Sequence, residues 1–485
     1  MKCVLTVLCL LLPVLAGVLI KLPKLTKKQQ SLGAVGVLFV SALMALATLL
    51  FKDDSPIVIW SITQNVKIAL ALDGMSRFYV IFVALIWLLV GIYAVEYTEE
   101  DENSARFFRY YLISFTALIG LAMSANLVTL YMFYEMMTLA TVPLVAHNMD
   151  REAVGAAVKY LIYSVFGASC ALLGIFFIGA HAQTFDFAAG GLFTQEALGE
   201  NADTLKIIAF IMIMGFSVKA GMFPMHSWLP TAHPVAPAPA SAVLSGVITK
   251  MGVLGIIRSI FYVFGANFLR GTWVQYTFMI LSLITVVMGS MLAYKEKVFK
   301  KRLAYSTVSQ VSYVLFGLST MTEIGFIGAC LHIVFHSLIK NTLFMSAGAV
   351  IHKTGKTHVE DLDGIGKQMP ITMTMFTVVA LGLIGIPPTG GFISKWNLAR
   401  GAFATGLSCA WIGPAMLLVS AILTAAYLLS VSIKAFFRGG DLIEKNDVGL
   451  KMLVPMGICA VLSVVLGIIP GWLISFFQAI ASTIL

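Results

Sequence analysis

Charged residues are scarce in this sequence: Asp, Glu, Lys and Arg make up 11% of its 485 residues, against 59% hydrophobic ones. A soluble domain carries about 25% charge. A fold with so little cannot cover its own surface, so lipid must supply much of the solvent. Cysteines are few and scattered. Cys3, Cys9, Cys170, Cys330, Cys409 and Cys459 lie mostly within apolar runs and form no C-x-x-C pair. Iron–sulfur clusters and structural zinc need grouped thiolates, so neither is expected. G-x-G-x-x-G and P-loop patterns are missing too, which removes the known nucleotide-binding loops. The chain is expected to hold no cofactor, no redox centre and no catalytic site of its own.

The charge that is present is basic, a net +9. It sits in short loops between apolar runs, not in a stripe on a soluble domain. There it acts as a topology signal, and nucleic acid is a poor partner.

A spanning helix needs ~20 mostly apolar residues, and such runs recur about fourteen times here. The first run, ending at Ile20, is followed by Lys21, Lys24, Lys27 and Lys28. Signal peptides place their basic residues before the apolar run, so this segment reads as a first span. Residues 52–76 are amphipathic and suit a short hairpin or a surface helix, and residues 181–204 read as loop. The fold class expected is all-α integral membrane. Spans one to three with the amphipathic segment occupy 1–106, spans four to eight 107–264, spans nine to thirteen 273–437, and span fourteen 451–485. Spans near 205–226 and 371–398 are interrupted by Gly221-Met222-Phe223-Pro224 and by Gly385-Ile386-Pro387-Pro388-Thr389-Gly390-Gly391. Proline removes a helix donor, and broken backbone at membrane depth is tolerated beside protein or a wet cavity. Breaks at related places in two halves point to an inverted-repeat transporter, with spans 4–8 and 9–13 as the two five-helix units.

Lys295, Lys297, Lys300, Lys301 and Arg302 fill loop nine. Lys353, Lys356 and Lys367 fall in loop eleven, and Lys434, Arg438, Lys445 and Lys451 in loop thirteen. Even loops offer isolated cases such as Lys52, Arg270 and Arg400. The positive-inside bias places the odd loops in the cytoplasm and both termini outside. Loop three carries Glu96, Glu99, Glu100, Asp101 and Glu102 beside Arg106 and Arg109, but acidic residues contribute little to the rule.

An ionisable group at the bilayer centre costs ~2.5–3.5 kcal/mol on insertion scales, so several in one chain call for a purpose. Span five is apolar except for Glu135 and small hydroxyls. Glu135 is either a carboxylate partnering a lysine or a neutral acid hydrogen-bonded to Thr138. Lys219 precedes the break in span seven, too deep in its run to snorkel. His226 and His233 flank that break as interfacial residues or proton donors. Lys250 lies in mid-span eight. His332, His336 and Lys340 recur every four residues and so share one helical face. Lys395 follows the second break. Burial lowers a lysine's pKa while a nearby carboxylate raises it, and histidine titrates near neutrality. Lysines joined by histidines and water would form a hydrophilic axis along the membrane, with half-channels at the breaks marked by Pro224, Pro387 and Pro388.

The segments FYEMMTLATVPLV, GFSVKAGMFPMHSWLPTAHPVAPAPASAVLSGVITKMGVLGI, KKRLAYSTVSQVSY, LHIVFHSLIKNTLFMSAG and IGIPPTGGFISKW resemble the antiporter-like subunits of complex I, membrane-bound hydrogenases and Mrp-type cation/proton antiporters. The likeness runs from about span three to span thirteen. It implies that Glu135 and Lys219 are the glutamate–lysine pair and Lys250 the connecting lysine. It makes His332, His336 and Lys340 the polar stripe and Lys395 the terminal residue. Some such subunits have glutamate at that last place. The resemblance further implies a bacterial or archaeal plasma membrane, H⁺ or Na⁺ as the ion, and partners among other membrane subunits, related antiporter-like ones included. Either those partners belong to a redox-driven complex, or they form a multisubunit Na⁺/H⁺ antiporter.

Overall fold

The computed structural model describes residues 2–20, 25–51, 55–63, 66–439 and 444–485; Lys21, Lys24 and Lys52 of the topology argument lie outside the described residues. Two helices, α1 (Lys2–Leu19) and α2 (Lys27–Thr48), lead into an antiparallel hairpin of β1 (Ile57–Ser61) and β2 (Lys67–Leu70). The amphipathic segment is thus a hairpin. Next come α3 (Gly74–Tyr97), α4 (Ser104–Ala122), α5 (Leu127–Val145) and α6 (Arg151–His181). A short α7 (Gln195–Glu200) lies within the 181–204 connection and precedes α8 (Ala202–Ala220) and α9 (Leu229–Val235). The stretch Ala238–Phe264 is one wholly buried run. It consists of α10 (Ala238–Val243), a π turn at Leu244–Ile248, α11 (Thr249–Ile257) and a second π turn at Arg258–Phe264. The second half holds α12 (Ala266–Leu269), α13 (Trp273–Lys295), α14 (Phe299–Ser319), α15 (Glu323–Thr354), α16 (Ile365–Gln368), α17 (Pro370–Ile384), α18 (Gly390–Phe403) and α19 (Ile412–Phe437). The chain closes with α20 (Leu450–Ile468) and α21 (Gly471–Ile484), which meet at Pro470 inside the single span expected there.

Among the described residues, ten helices are long and apolar enough to cross a membrane, and the chain is a multi-pass membrane protein. The expected spans that fall short of that test do so for visible reasons. Arg106 and Arg109 lie in α4, Asp203, Lys206 and Lys219 in α8, and Lys300, Lys301 and Arg302 at the start of α14. Span twelve is cut into α17 and α18, of 15 and 14 residues.

Burial is inverted relative to a water-soluble fold. Phe176, Ile162 and Leu418 are more than half exposed, while Lys219, Lys250 and Lys340 are at most 1% exposed. Each broken helix ends on a glycine in the left-handed region, Gly221 at φ 79° after α8 and Gly385 at φ 92° after α17. Glycine reaches that geometry without a Cβ penalty, and the prolines beyond it cannot continue the helix. Glycine also lets neighbouring backbones touch. A Cβ on Gly252 of α11 would stand 2.7 Å from the Phe216 carbonyl and 2.9 Å from the Lys219 Cβ, so α11 and α8 are pressed together beside the two lysines.

Candidate functional site

The deepest polar groups lie in the interior of the bundle. Lys219, at the end of α8, donates from Nζ to Thr138 Oγ1 of α5 and to Tyr160 OH and Ser164 Oγ of α6, each at 2.9 Å. Its ammonium also lies 4.4 Å from the centre of the Tyr160 ring, a cation–π contact. Three helices thus fix one amine, and Trp228, just before α9, lies against Tyr160 with ring centres 4.7 Å apart and planes tilted by 32°. Glu135 is half-buried on α5 and interacts with Lys219 through space, yet among the described residues no ion pair within 4 Å joins them. The alternative bond from Glu135 to Thr138 is not formed either: Thr138 donates to the Tyr134 carbonyl and accepts from Lys219.

Lys250 sits between the two π turns. Its Nζ donates to the Ser245 carbonyl and to Thr249 Oγ1, and Tyr79 of α3 donates to the Lys250 carbonyl at 3.1 Å. A π turn widens the helix and frees a carbonyl, a feature frequent at functional sites. Here the freed ring of backbone at Leu244–Ile248 supplies the oxygen that the buried ammonium needs.

The polar stripe of α15 is wholly buried. Lys340 donates to the Leu303 carbonyl at 2.9 Å and to Ser306 Oγ at 2.7 Å, both on α14, and Tyr427 of α19 also reaches Ser306. The His332 and His336 rings stack 5.8 Å apart and 13° from parallel. His332 Nδ1 is bonded to Ser394 Oγ at 2.9 Å, and its ring stacks on Tyr313. Both nitrogens of His336 and Nε2 of His332 have no partner among the described residues. Buried polar atoms of this kind are normally satisfied by ordered water. Next to Ser394, Lys395 donates to the Leu383 and Ile384 carbonyls at 2.7 and 2.9 Å. Those are the last carbonyls of α17, the negative end of its dipole. The Lys395 ammonium lies 5.0 Å from the Tyr313 ring centre. His336 is thus within electrostatic reach of Lys250, Lys340, His332 and Lys395.

The expected residues divide as follows. Lys250, His332, His336, Lys340 and Lys395 form one interacting group, and Lys219 lies on α8, which packs closely against α11, the helix of Lys250. His233 is buried on α9, stacks on Phe344 at 4.6 Å and interacts with Lys300, Lys340 and Lys250. His226, in the turn after Pro224, is only half-buried and stands apart from that group beside Lys159. Pro387 and Pro388 lie in the turn between α17 and α18. Sequence reading set Thr138 beside Glu135 and not Lys219, and it missed the other hydroxyls: Tyr160, Ser164, Ser306, Tyr313, Ser394 and Tyr427. The one signal that could have flagged them was their recurrence in helices opposite a buried lysine.

A family profile described as NADH:quinone oxidoreductase/Mrp antiporter, TM matches residues 124–418. A second, described as NADH-ubiquinone oxidoreductase (complex I), chain 5 N-terminus, matches residues 60–108. The chain is 32% identical to NADH-quinone oxidoreductase subunit N of Desulforudis audaxviator, over 84% of this chain and 83% of the relative. It is 30% identical to hydrogenase-4 component B of Escherichia coli, over 84% of this chain and 63% of that protein. Its fold resembles a chain in the Mrp complex of a Dietzia species with a TM-score of 0.86 at 22% identity, covering 100% of this chain and 97% of that one.

Proposed function

The chain belongs to the transmembrane family of NADH:quinone oxidoreductases and Mrp antiporters, and on that premise we propose that it is the proton-translocating, antiporter-like subunit of a redox-driven membrane complex of hydrogenase or complex I type. The observation that carries this reading is the buried group centred on His336, with amines and imidazoles from α11, α15 and α18, and with α8, which bears Lys219, packed directly against α11. Amines and imidazoles pass protons and are poor ligands for Na⁺, which prefers oxygen, so H⁺ is the favoured ion. In this account Glu135 and Lys219 close as a pair in one state and separate in another. Lys219 exchanges with Lys250, and His336, His332 and Lys395 complete the line, with Lys340 beside it. His226 and His233 are side entrances at the first break. A charge crossing 100 mV exchanges about 2.3 kcal/mol, the energy each such transfer trades with the membrane potential.

The same reading takes α4, α8, α14 and the α17–α18 pair as membrane spans beside the ten apolar helices, arranged as inverted repeats over 107–264 and 273–437. The odd loops face the cytoplasm of a prokaryotic cell and both termini the outside. Partners are other membrane subunits, related antiporter-like ones included, with redox chemistry confined to soluble subunits. A second reading, a subunit of an Mrp-type Na⁺/H⁺ antiporter without redox partners, is favoured by the full-length fold likeness to the Mrp chain.

Two measurements test this. In sealed vesicles, Lys219→Ala and Glu135→Gln should cut translocation about a hundredfold or more, the scale of losing a positioned acid–base group, while the complex still assembles. Wild-type pumping by either would remove that residue from the mechanism. Purification of the intact complex should bring down hydrogenase-like or quinone-reductase-like subunits; small membrane subunits alone would favour the second reading.

A further inference from the structure

A cavity of about 250 Å³ opens where five connections on one side of the bundle converge. Asp101 comes from the α3–α4 connection, His147 from the end of α5, Pro234 and Ala236 from the α9–α10 junction, Lys300 from the start of α14 and Thr357 from the segment after α15. This is the side that carries the basic loops. At ~30 Å³ per molecule the space has room for several waters.

The walls are built, not incidental. His147 is 4% exposed, and its Nε2 lies 2.5 Å from Asp101 Oδ2. Arg106 donates to the His147 backbone carbonyl, fixing the loop, and His147 Nδ1 is buried with no partner among the described residues. Lys300 is 7% exposed and donates to the Pro234 and Ala236 carbonyls, which pins the junction that forms the cavity floor. Directly beyond that floor is His233, adjacent in sequence to Pro234. It is fully buried, both its ring nitrogens lack partners among the described residues, and Lys300, Lys340 and Lys250 are all within its electrostatic reach.

We propose that this cavity is the port through which protons pass between the basic-loop side and the buried line of lysines and histidines, with the His147–Asp101 pair as the collecting group. The idea rests on the translocation function proposed above and adds its access point. A proton arriving from water binds one nitrogen of His147. The ring then gives up one proton to water in the cavity and returns to neutral, so each passage leaves no charge behind. That proton next binds His233 and is released to Lys340 or Lys250. Asp101, facing the solvent end, keeps the imidazole oriented and offsets its charge while it is protonated. Lys300 stays bonded to the two carbonyls and holds the route to His233 in place.

The test uses the intact complex in sealed vesicles, with Cys3→Ser and Cys409→Ser to remove the two exposed thiols. Ile351, half-buried on α15, lines the cavity and has no part in the mechanism. Ile351→Cys should react with a membrane-impermeant maleimide from the basic-loop side only, and the modified protein should lose most of the translocation rate it had before labelling. In unlabelled vesicles, His147→Ala should slow translocation while His147→Gln, which keeps the bond to Asp101 but cannot relay, slows it equally. Three results overturn the port: no labelling from that side, labelling without loss of rate, or wild-type rates in both His147 variants. Lys219→Ala is run in parallel. If it is inactive while the port results fail, the port alone is wrong; if it pumps at the wild-type rate, the underlying function is wrong.

Discussion

Asp101 shows how much a single side chain outside the membrane can be asked to report. Burial works against its charge, but hydrogen bonds from His147 and the Asn103 amide, with the nearby His147 and Arg106, outweigh it and hold the carboxyl below the usual carboxylate range. A depressed native value means that the ionised form is favoured by folding. The resulting stability is present above the ordinary carboxylate value of about 4 and is lost as the pH falls through the lower native one. Thermal unfolding of the purified protein should therefore fall off on the acid side, and Asp101→Asn should show a smaller fall over the same pH range. An identical acid limb in both proteins would show that Asp101 makes no such contribution.

At this scale the sequence is readable where chemistry is rare and unreadable where it is common. Lys219, Lys250 and Lys395 stand out because an ammonium in an apolar run has a cost that something must offset. Thr138, Ser164 and Ser306 do not, because a hydroxyl in a helix can satisfy itself on the carbonyl four residues back. Thr138 does so even while it accepts from Lys219. The Glu135–Lys219 pairing expected from sequence is also absent at contact distance, since three hydroxyls already occupy the three donors of the ammonium.

Elements carry the next layer. The two breaks were legible, as each pairs a glycine that adopts positive φ with prolines that cannot extend a helix. The π turns on either side of Lys250 were not, because no residue type marks a π turn and LSGVI reads as ordinary helix. The close approach of α11 to α8 was hidden as well, for Gly252 gives the same signal in a sequence whether it touches backbone or lipid. Its role is testable. In Gly252→Ala the new methyl would meet the Phe216 carbonyl, the Ala220 amide and the Lys219 Cβ, all inside 3.0 Å. Overpacking of this kind costs roughly 1–3 kcal/mol. The expected result is a lower unfolding temperature together with slowed translocation, because α8 must move away and take Lys219 with it. Gly255→Ala, which meets mainly the Phe216 ring, should destabilise with less effect on rate. Equal rates in Gly252→Ala and the wild type would separate the α8–α11 contact from function.

For the whole molecule, composition alone was enough to name lipid as the solvent, and the exposure of Phe176, Ile162 and Leu418 against the burial of the lysines bears this out. The single C-terminal span expected over 451–485 is two helices, since Pro470 withdraws a donor where a continuous helix would need one. What no linear pattern could supply is the three-dimensional arrangement of the polar interior: residues from α8, α11, α15 and α18 meet only because the bundle folds them together. The account depends on that meeting acting as a conductor, and His336 is its centre. In His336→Phe the ring that stacks on His332 is retained and both nitrogens are lost. Proton translocation by the assembled complex in sealed vesicles, measured for this variant, is the most direct test. The account predicts a loss of about a hundredfold or more with normal assembly, and translocation at the wild-type rate would contradict it.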